Sequence, residues 1–285
     1  MGKIVAMLNM KGGVGKTTLA VNISSCLAKL RDKKVLLIDL DPQYNATQYL
    51  VNLEKHPEYV DGSKPTVFNI MAPESASARS VADGATLGQE KHQICLNDVK
   101  RNLFKNEAGN GVLDLIPSTL NLLLVEISRE MGIENKLRNF VNIIKEAYDF
   151  IIIDCPPTFS VFLLSGYLAS DYYLVPLKPD PLSTLGIPLL DTVFRVYCDT
   201  FGKEIKPLGV VFTMVRKTRE MEDVMEDIRD ASAGKKYVFR SVLSNSTRVA
   251  EASRMNLPLF EWKESERYGK EIEDITDEFL KLFGS

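Results

Sequence analysis

The stretch KIVAMLNMKGGVGKTTLAVNISSCLAKLRD, residues 3 to 32, decides the fold. Its first seven residues form a short apolar run that ends at a glycine-rich turn. After the turn, apolar side chains fall at Leu19, Val21, Ile23, Cys26, Leu27 and Leu30. The pattern reads as strand, loop and amphipathic helix.

The strand signal recurs. KKVLLIDLD (33 to 41), YDFIIIDCPP (148 to 157), DYYLVPLKP (171 to 179) and KPLGVVFTMV (206 to 215) are continuous apolar runs, and GVLDLIPS (111 to 118) is a weaker one. Continuous runs suit strands covered on both faces by helices. Helical patterns alternate with them at 120 to 132, 135 to 147 and 186 to 202. The expectation is one α/β domain spanning 1 to 285, with a doubly wound, mostly parallel sheet and right-handed connections. From about 52 to 111 periodicity weakens, as in APESASARSVADGATLGQEK, and this region reads as a mobile excursion or partner-specific insert without chemistry.

With 285 residues, 45% of them hydrophobic, the chain can bury a substantial core. A formal charge of −3 argues against a surface that is basic all round, so any DNA contact has to come from a local patch. Cys26, Cys95, Cys155 and Cys198 are far apart and read as reduced cysteines of a cytoplasmic chain. Neither a signal-peptide pattern nor an apolar run of about 18 residues occurs.

Between the first strand and helix lies Lys11-Gly12-Gly13-Val14-Gly15-Lys16-Thr17-Thr18. Backbone N–H groups and a helix N-terminus converge there on an anion, and a nucleoside triphosphate is the natural occupant. Gly12, Gly13 and Gly15 let the backbone curl close to phosphate oxygens. Lys16 brings a point charge to the β and γ phosphates, and Thr17 offers a hydroxyl to Mg²⁺. The common pattern GxxxxGK[ST] requires glycine where this chain has Met10, and a second lysine, Lys11, stands inside the loop. A carboxylate that ends a buried strand beside such a loop, Asp154, suits Mg²⁺ held through water, with a turn or helix cap as the competing role.

KGGVGKTT resembles the deviant loop of the ParA/MinD family of ATPases. The resemblance extends to Asp39-Leu40-Asp41-Pro42-Gln43, Ile153-Asp154-Cys155-Pro156-Pro157, Leu115-Ile116-Pro117-Ser118 and the segment from Arg248 to Pro258, and it is nearest to ParA-type partition ATPases. It implies ATP and Mg²⁺ as cofactors and a homodimer formed with ATP, in which Lys11 reaches the partner's nucleotide. It also implies that Asp41 positions or polarises the attacking water; on its own residues, Asp41 is equally a turn-former before Pro42. A ParB-like or cargo adaptor would stimulate hydrolysis. An iron–sulfur reductase would share the loop, but the cysteine spacing offers no cluster ligands.

The family holds proteins on a surface, and two surfaces compete. For non-specific DNA, and hence a nucleoid location, the candidates are Arg216, Lys217, Arg219 and Arg248, with Lys235, Lys236, Arg240 and Arg254 nearby. Arg248 matches a family position linked to DNA binding. The bland alternative is a set of solvated charges, since EMEDVMEDIRD intervenes. For a membrane, the tail EDITDEFLKLFGS resembles an amphipathic anchor. From Lys263 onward, however, four basic and seven acidic residues would be repelled by anionic lipid. Ile272, Ile275, Phe279 and Leu280 fit packing on the protein body more simply.

Overall fold

A computed structural model describes residues 2–59, 63–73, 94–128, 130–181, 183–234 and 237–284. Seven strands form one sheet in the order β3-β4-β2-β5-β1-β6-β7. They are β1 (Lys3–Met7), β2 (Lys34–Asp39), β3 (Arg101–Lys105), β4 (Val112–Ile116), β5 (Phe150–Asp154), β6 (Tyr172–Leu177) and β7 (Lys206–Phe212). All pairings are parallel except β3 with β4. β1 lies between β5 and β6, with Lys3 opposite Phe150 and Met7 opposite Asp154.

The continuous apolar runs are explained by burial on both faces. Ile4, Ala6, Leu36, Ile38, Ile151 and Ile153 pack into one core layer, while Val5, Met7, Val35, Leu37 and Ile152 pack into the other. Alternate side chains of a strand point to opposite faces, so both sets must be apolar. The second layer is covered by helix α1 (Lys16–Leu30) and by the C-terminal helix Glu266–Lys281. Ile272, Ile275, Phe279 and Leu280 are buried there, as the packing alternative for the tail required. On the first layer, the helix Val161–Ala169 packs so close to the end of β5 that a Cβ on Gly166 would stand 2.5 Å from Cys155 Sγ.

The region 52 to 111 differs from the sequence expectation of an excursion. Its described parts contribute Tyr59, Val67, Met71 and Val99 to the core, and its end forms β3, the antiparallel edge of the main sheet. β3 escapes a search for apolar runs because RNLFK is an edge strand with its residues partly exposed. The middle of this region, with APESASARSVADGATLGQEK, falls largely outside the described residues. The helix expected from 186 begins at Ser183, and that expected over 120 to 132 is confined to Leu122–Ser128.

Candidate nucleotide site

The parallel strands all deliver their C-terminal ends to one edge of the sheet, the edge where α/β proteins bind ligands. The loop from Lys11 leaves β1 there and enters α1, whose N-cap is Gly15. Gly13 (φ 70°) and Gly15 (φ 79°) are left-handed, a conformation that side chains strain to adopt. The loop is braced from β1 and β7. Asn9 Nδ2 donates to the Pro176 carbonyl at 2.7 Å, and Asn9 Oδ1 accepts from Lys11 N at 2.9 Å. From the end of β7, Thr213 Oγ1 donates to the Val14 carbonyl at 2.6 Å.

Lys16 is buried, and its Nζ donates to the Lys11 carbonyl at 3.2 Å. Burial lowers the pKa of its ammonium, while Asp154, Cys155 and Asp41 push it the other way. Asp154, at the end of β5, is 1% exposed, and neither of its carboxylate oxygens has a hydrogen-bond partner. Burial, then the neighbouring charge of Asp39, raises its pKa well above the carboxylate range. Thr17 and Lys16 oppose that shift without reaching hydrogen-bond geometry. Orphaned buried polar atoms in native proteins call for an explanation, and a bound ion is one of the standard ones. Among the described residues no cluster of three His, Cys, Asp or Glu side chains is built to hold a metal by itself. Asp154 and Thr17 therefore suit an ion such as Mg²⁺, which takes one or two protein ligands and completes its shell with phosphate and water.

The other strand-end carboxylates divide their tasks. Asp39 is an internal strut: Oδ2 accepts from Thr47 N at 2.8 Å and Thr47 Oγ1 at 2.7 Å, and Oδ1 from Asp41 N at 3.2 Å. Burial raises its pKa in spite of these bonds. Asp41 lines the cavity, and its Oδ1 accepts from Gln43 N at 2.9 Å, so the turn-forming role and a cavity-facing position coexist. Ser118 Oγ donates to the Asp41 carbonyl at 2.7 Å, which gives the LIPS segment a physical task. Burial pushes the Cys155 thiol well up, as befits an inert packing residue.

Gly12 to Thr18 form one end of a cavity of about 750 Å³. The other end is made by Met214, Leu243, Asn245 and Val249, so the loop opens onto a mixed polar and apolar slot. Lys11 leaves the loop in another direction, and its Nζ donates to both Asp180 oxygens, at 2.7 and 2.5 Å. Thr213, Asn9 and Asp180 carried no sequence signal, because each acts on a partner more than 160 positions away.

The DNA candidates fall into one neighbourhood. Arg216, Lys217 and Arg219 are exposed after β7, where Val215 bridges Ser244, and two residues further Ser246 caps the helix Thr247–Arg254 that carries Arg248. Arg248 Nη1 meets Glu251 at 3.0 Å and lies over the Trp262 ring. Arg254, further along the same helix, lines the nucleotide cavity. Lys235 and Lys236 lie outside the described residues. Among the described residues no helix is long and apolar enough to cross a membrane.

The sheet, the loop and the strand-end carboxylates define a phosphate-loop nucleotide-binding protein. A family model described as an AAA domain matches residues 2–206. The sporulation initiation inhibitor protein Soj of Bacillus subtilis is 30% identical over 285 residues, 98% of each chain. The chromosome-partitioning ATPase Soj of Treponema pallidum is 30% identical over 266 residues, 91% of this chain and 89% of that one. The ATP complex of a Cyanothece McdA superposes with a TM-score of 0.75 at 20% identity, covering 99% and 96% of the two chains. Cobyrinic acid a,c-diamide synthase of Mycobacterium smegmatis, with an ATP analogue and magnesium, reaches 0.71 at 21% identity over 100% and 97%. At 20–21% identity both structures establish the fold, and the fold alone does not choose a function. The family model and the sequence relatives show the family: this chain belongs to the ParA/MinD family of ATPases.

Proposed function

We propose that the chain is a Mg²⁺-dependent ATPase that closes with ATP into a nucleotide-sandwich homodimer. The dimer binds DNA without sequence preference and partitions or positions a plasmid, chromosome or protein cargo. A ParB-like or cargo adaptor releases it by stimulating hydrolysis, and the working location is the nucleoid-bearing cytoplasm. The observation that carries the reading is Asp154: a buried, unpaired carboxylate beside Thr17 and Lys16, at the mouth of a loop shaped for phosphates. The Treponema relative, a chromosome-partitioning ATPase, supports the cargo class.

The chain's own groups have distinct tasks. The loop N–H groups and Lys16 bind the phosphates and fix their orientation, while Thr17 and Asp154 would hold Mg²⁺, which neutralises charge on the phosphates when bound. Asp41 orients the water in line with the phosphoryl group. Lys11, on leaving Asp180, supplies a cation to the partner's site, so that turnover requires assembly.

Retention on arbitrary-sequence DNA and on anionic liposomes, with ATP and with ADP across a salt series, tests this reading. Salt-sensitive DNA retention with ATP alone is the expected result. Retention on liposomes instead would shift the reading to a membrane regulator, and retention on neither would favour a metabolic enzyme on the same fold.

A further inference from the structure

The C-terminal helix Glu266–Lys281 is fixed to the sheet by Ile272, Ile275 and Phe279, which are fully buried. Two of its carboxylates, Glu271 and Glu278, stand seven positions apart, a spacing that puts them on one side of the helix. Both reach the same segment, residues 240–244, which belongs to no helix or strand. Glu278 accepts from Tyr237 Oη at 2.5 Å, from Arg240 N at 2.8 Å and from Ser241 N at 3.0 Å. Glu271 uses both oxygens on one residue: Oε2 accepts from Ser244 N at 2.7 Å, and Oε1 accepts from Ser244 Oγ at 2.8 Å. Arg267 Nε approaches Glu271 Oε1 at 3.4 Å from the exposed side. Hydrogen bonds to an ionised acceptor are about twice as strong as neutral ones, so these carboxylates do what a regular element does elsewhere.

Ser244 sits in the wall of the nucleotide cavity. On either side of it, Val215 N donates to the Leu243 carbonyl at 3.1 Å, and Asn245 N donates to the Val215 carbonyl at 2.9 Å. That rung follows directly on Met214, which is held at φ 54°, a left-handed conformation uncommon for a residue with a side chain. Such a conformation persists only where the surroundings over-determine it. Met214, Leu243 and Asn245 line the end of the cavity away from the phosphate loop, where the base and ribose of a nucleotide held by its phosphates must lie. Glu271 does not itself line the cavity. We infer that Glu271 is a positioning residue for that end of the site: by holding Ser244 it fixes the rung to Val215 and keeps Met214 against the base. The inference rests on the reading of the cavity as an ATP site and adds to it a control from the C-terminal helix.

The test compares the affinities of the full chain for Mg²⁺-ATP and for Mg²⁺-tripolyphosphate, which has the phosphates without base or ribose, in wild type, Glu271→Ala and Glu271→Gln. Titration gives the first, and displacement of a fluorescent ATP analogue gives the second. Glu271→Ala leaves the Ser244 N–H without its acceptor, and its Kd for ATP should rise about tenfold while that for tripolyphosphate stays within about twofold. Glutamine keeps an oxygen for the Ser244 N–H and an amide N–H for the hydroxyl, which can turn to accept it, so Glu271→Gln should recover most of the lost affinity. Should Glu271→Ala unfold the chain, Ser244→Ala, which deletes one of the two bonds, carries the comparison with a rise of about threefold. Equal weakening of both ligands would make Glu271 a structural support only and overturn the inference. Unchanged ATP affinity in Glu271→Ala, or no recovery in Glu271→Gln, would overturn it as well, and each leaves the nucleotide reading standing. A wild type that binds neither ligand would overturn the nucleotide reading itself.

Discussion

Asp154→Asn should stabilise the nucleotide-free protein while removing its response to Mg²⁺ and ATP. Ionising Asp154 works against burial and the neighbouring charge of Asp39, and its oxygens have no hydrogen-bond partner to stabilise the charge. An unpaired buried charge costs several kcal/mol even after relaxation, partly offset here by Lys16. The asparagine amide still lacks partners and keeps about 1–3 kcal/mol of that cost. The difference is a gain of about 2 kcal/mol at pH 8, or a melting temperature higher by about 5 °C for a chain of this size. The pH dependence has a definite sign. The folded state holds this proton more tightly than the unfolded chain, so the contribution of Asp154 to stability is fully present below the unfolded value, near pH 4. It is lost as pH rises through the elevated folded value. The gap between variant and wild type should therefore be small at pH 5 and widen toward pH 8. Adding a saturating ligand at about 100 times its Kd should stabilise wild type by about 2.7 kcal/mol and the variant much less. Thermal and urea denaturation at pH 5 and pH 8, with and without Mg²⁺-ATP, measure all four corners. If Asp154→Asn loses stability at pH 8 without ligand, or gains as much from Mg²⁺-ATP as wild type, the reasoning about this carboxylate is wrong.

Other substitutions probe the rest of the site. Thr213→Val removes the bond to the Val14 carbonyl and should cost about 1–2 kcal/mol, with weaker nucleotide affinity, by isothermal titration. Asp180→Asn frees Lys11 from a half-exposed pair worth up to about 1 kcal/mol, so ATP-dependent association should tighten by up to about fivefold; unchanged association would make the contact idle. Arg248→Glu should lower DNA retention and flatten its salt dependence while leaving ATP binding intact, measured by fluorescence anisotropy.

Most of the fold was legible because its signals are local. Strands buried on two faces must be apolar at every position, and the loop's glycines, lysines and threonines are consecutive. β3 was not legible, since an edge strand with one partner needs no apolar run. Asp154 could be placed at the loop from its strand end, but its isolation from hydrogen bonds is a property of packing. The braces from Asn9 and Thr213 were hidden for a related reason: their partners come from distant elements that only the folded sheet brings together. The strut from Asp39 spans only eight positions, to Thr47, but depends on how the turn after β2 folds back. The pairing of Lys11 with Asp180 spans 169 positions and was equally out of reach.

The central claim is that each site is completed by Lys11 of the other subunit, and mixing two inactive variants tests it most directly. Lys11→Ala retains Asp41 but gives its partner no lysine; Asp41→Ala retains Lys11 but has no water-orienting carboxylate. In a mixed dimer the site on the Lys11→Ala subunit has both groups, its own Asp41 and the partner's lysine. Steady-state phosphate release from each variant alone should be near background. An equimolar mixture should recover up to about a quarter of wild-type turnover, because half of randomly paired dimers are mixed and each has one complete site. No recovery on mixing, or normal turnover by Lys11→Ala alone, would contradict a lysine that acts across the dimer.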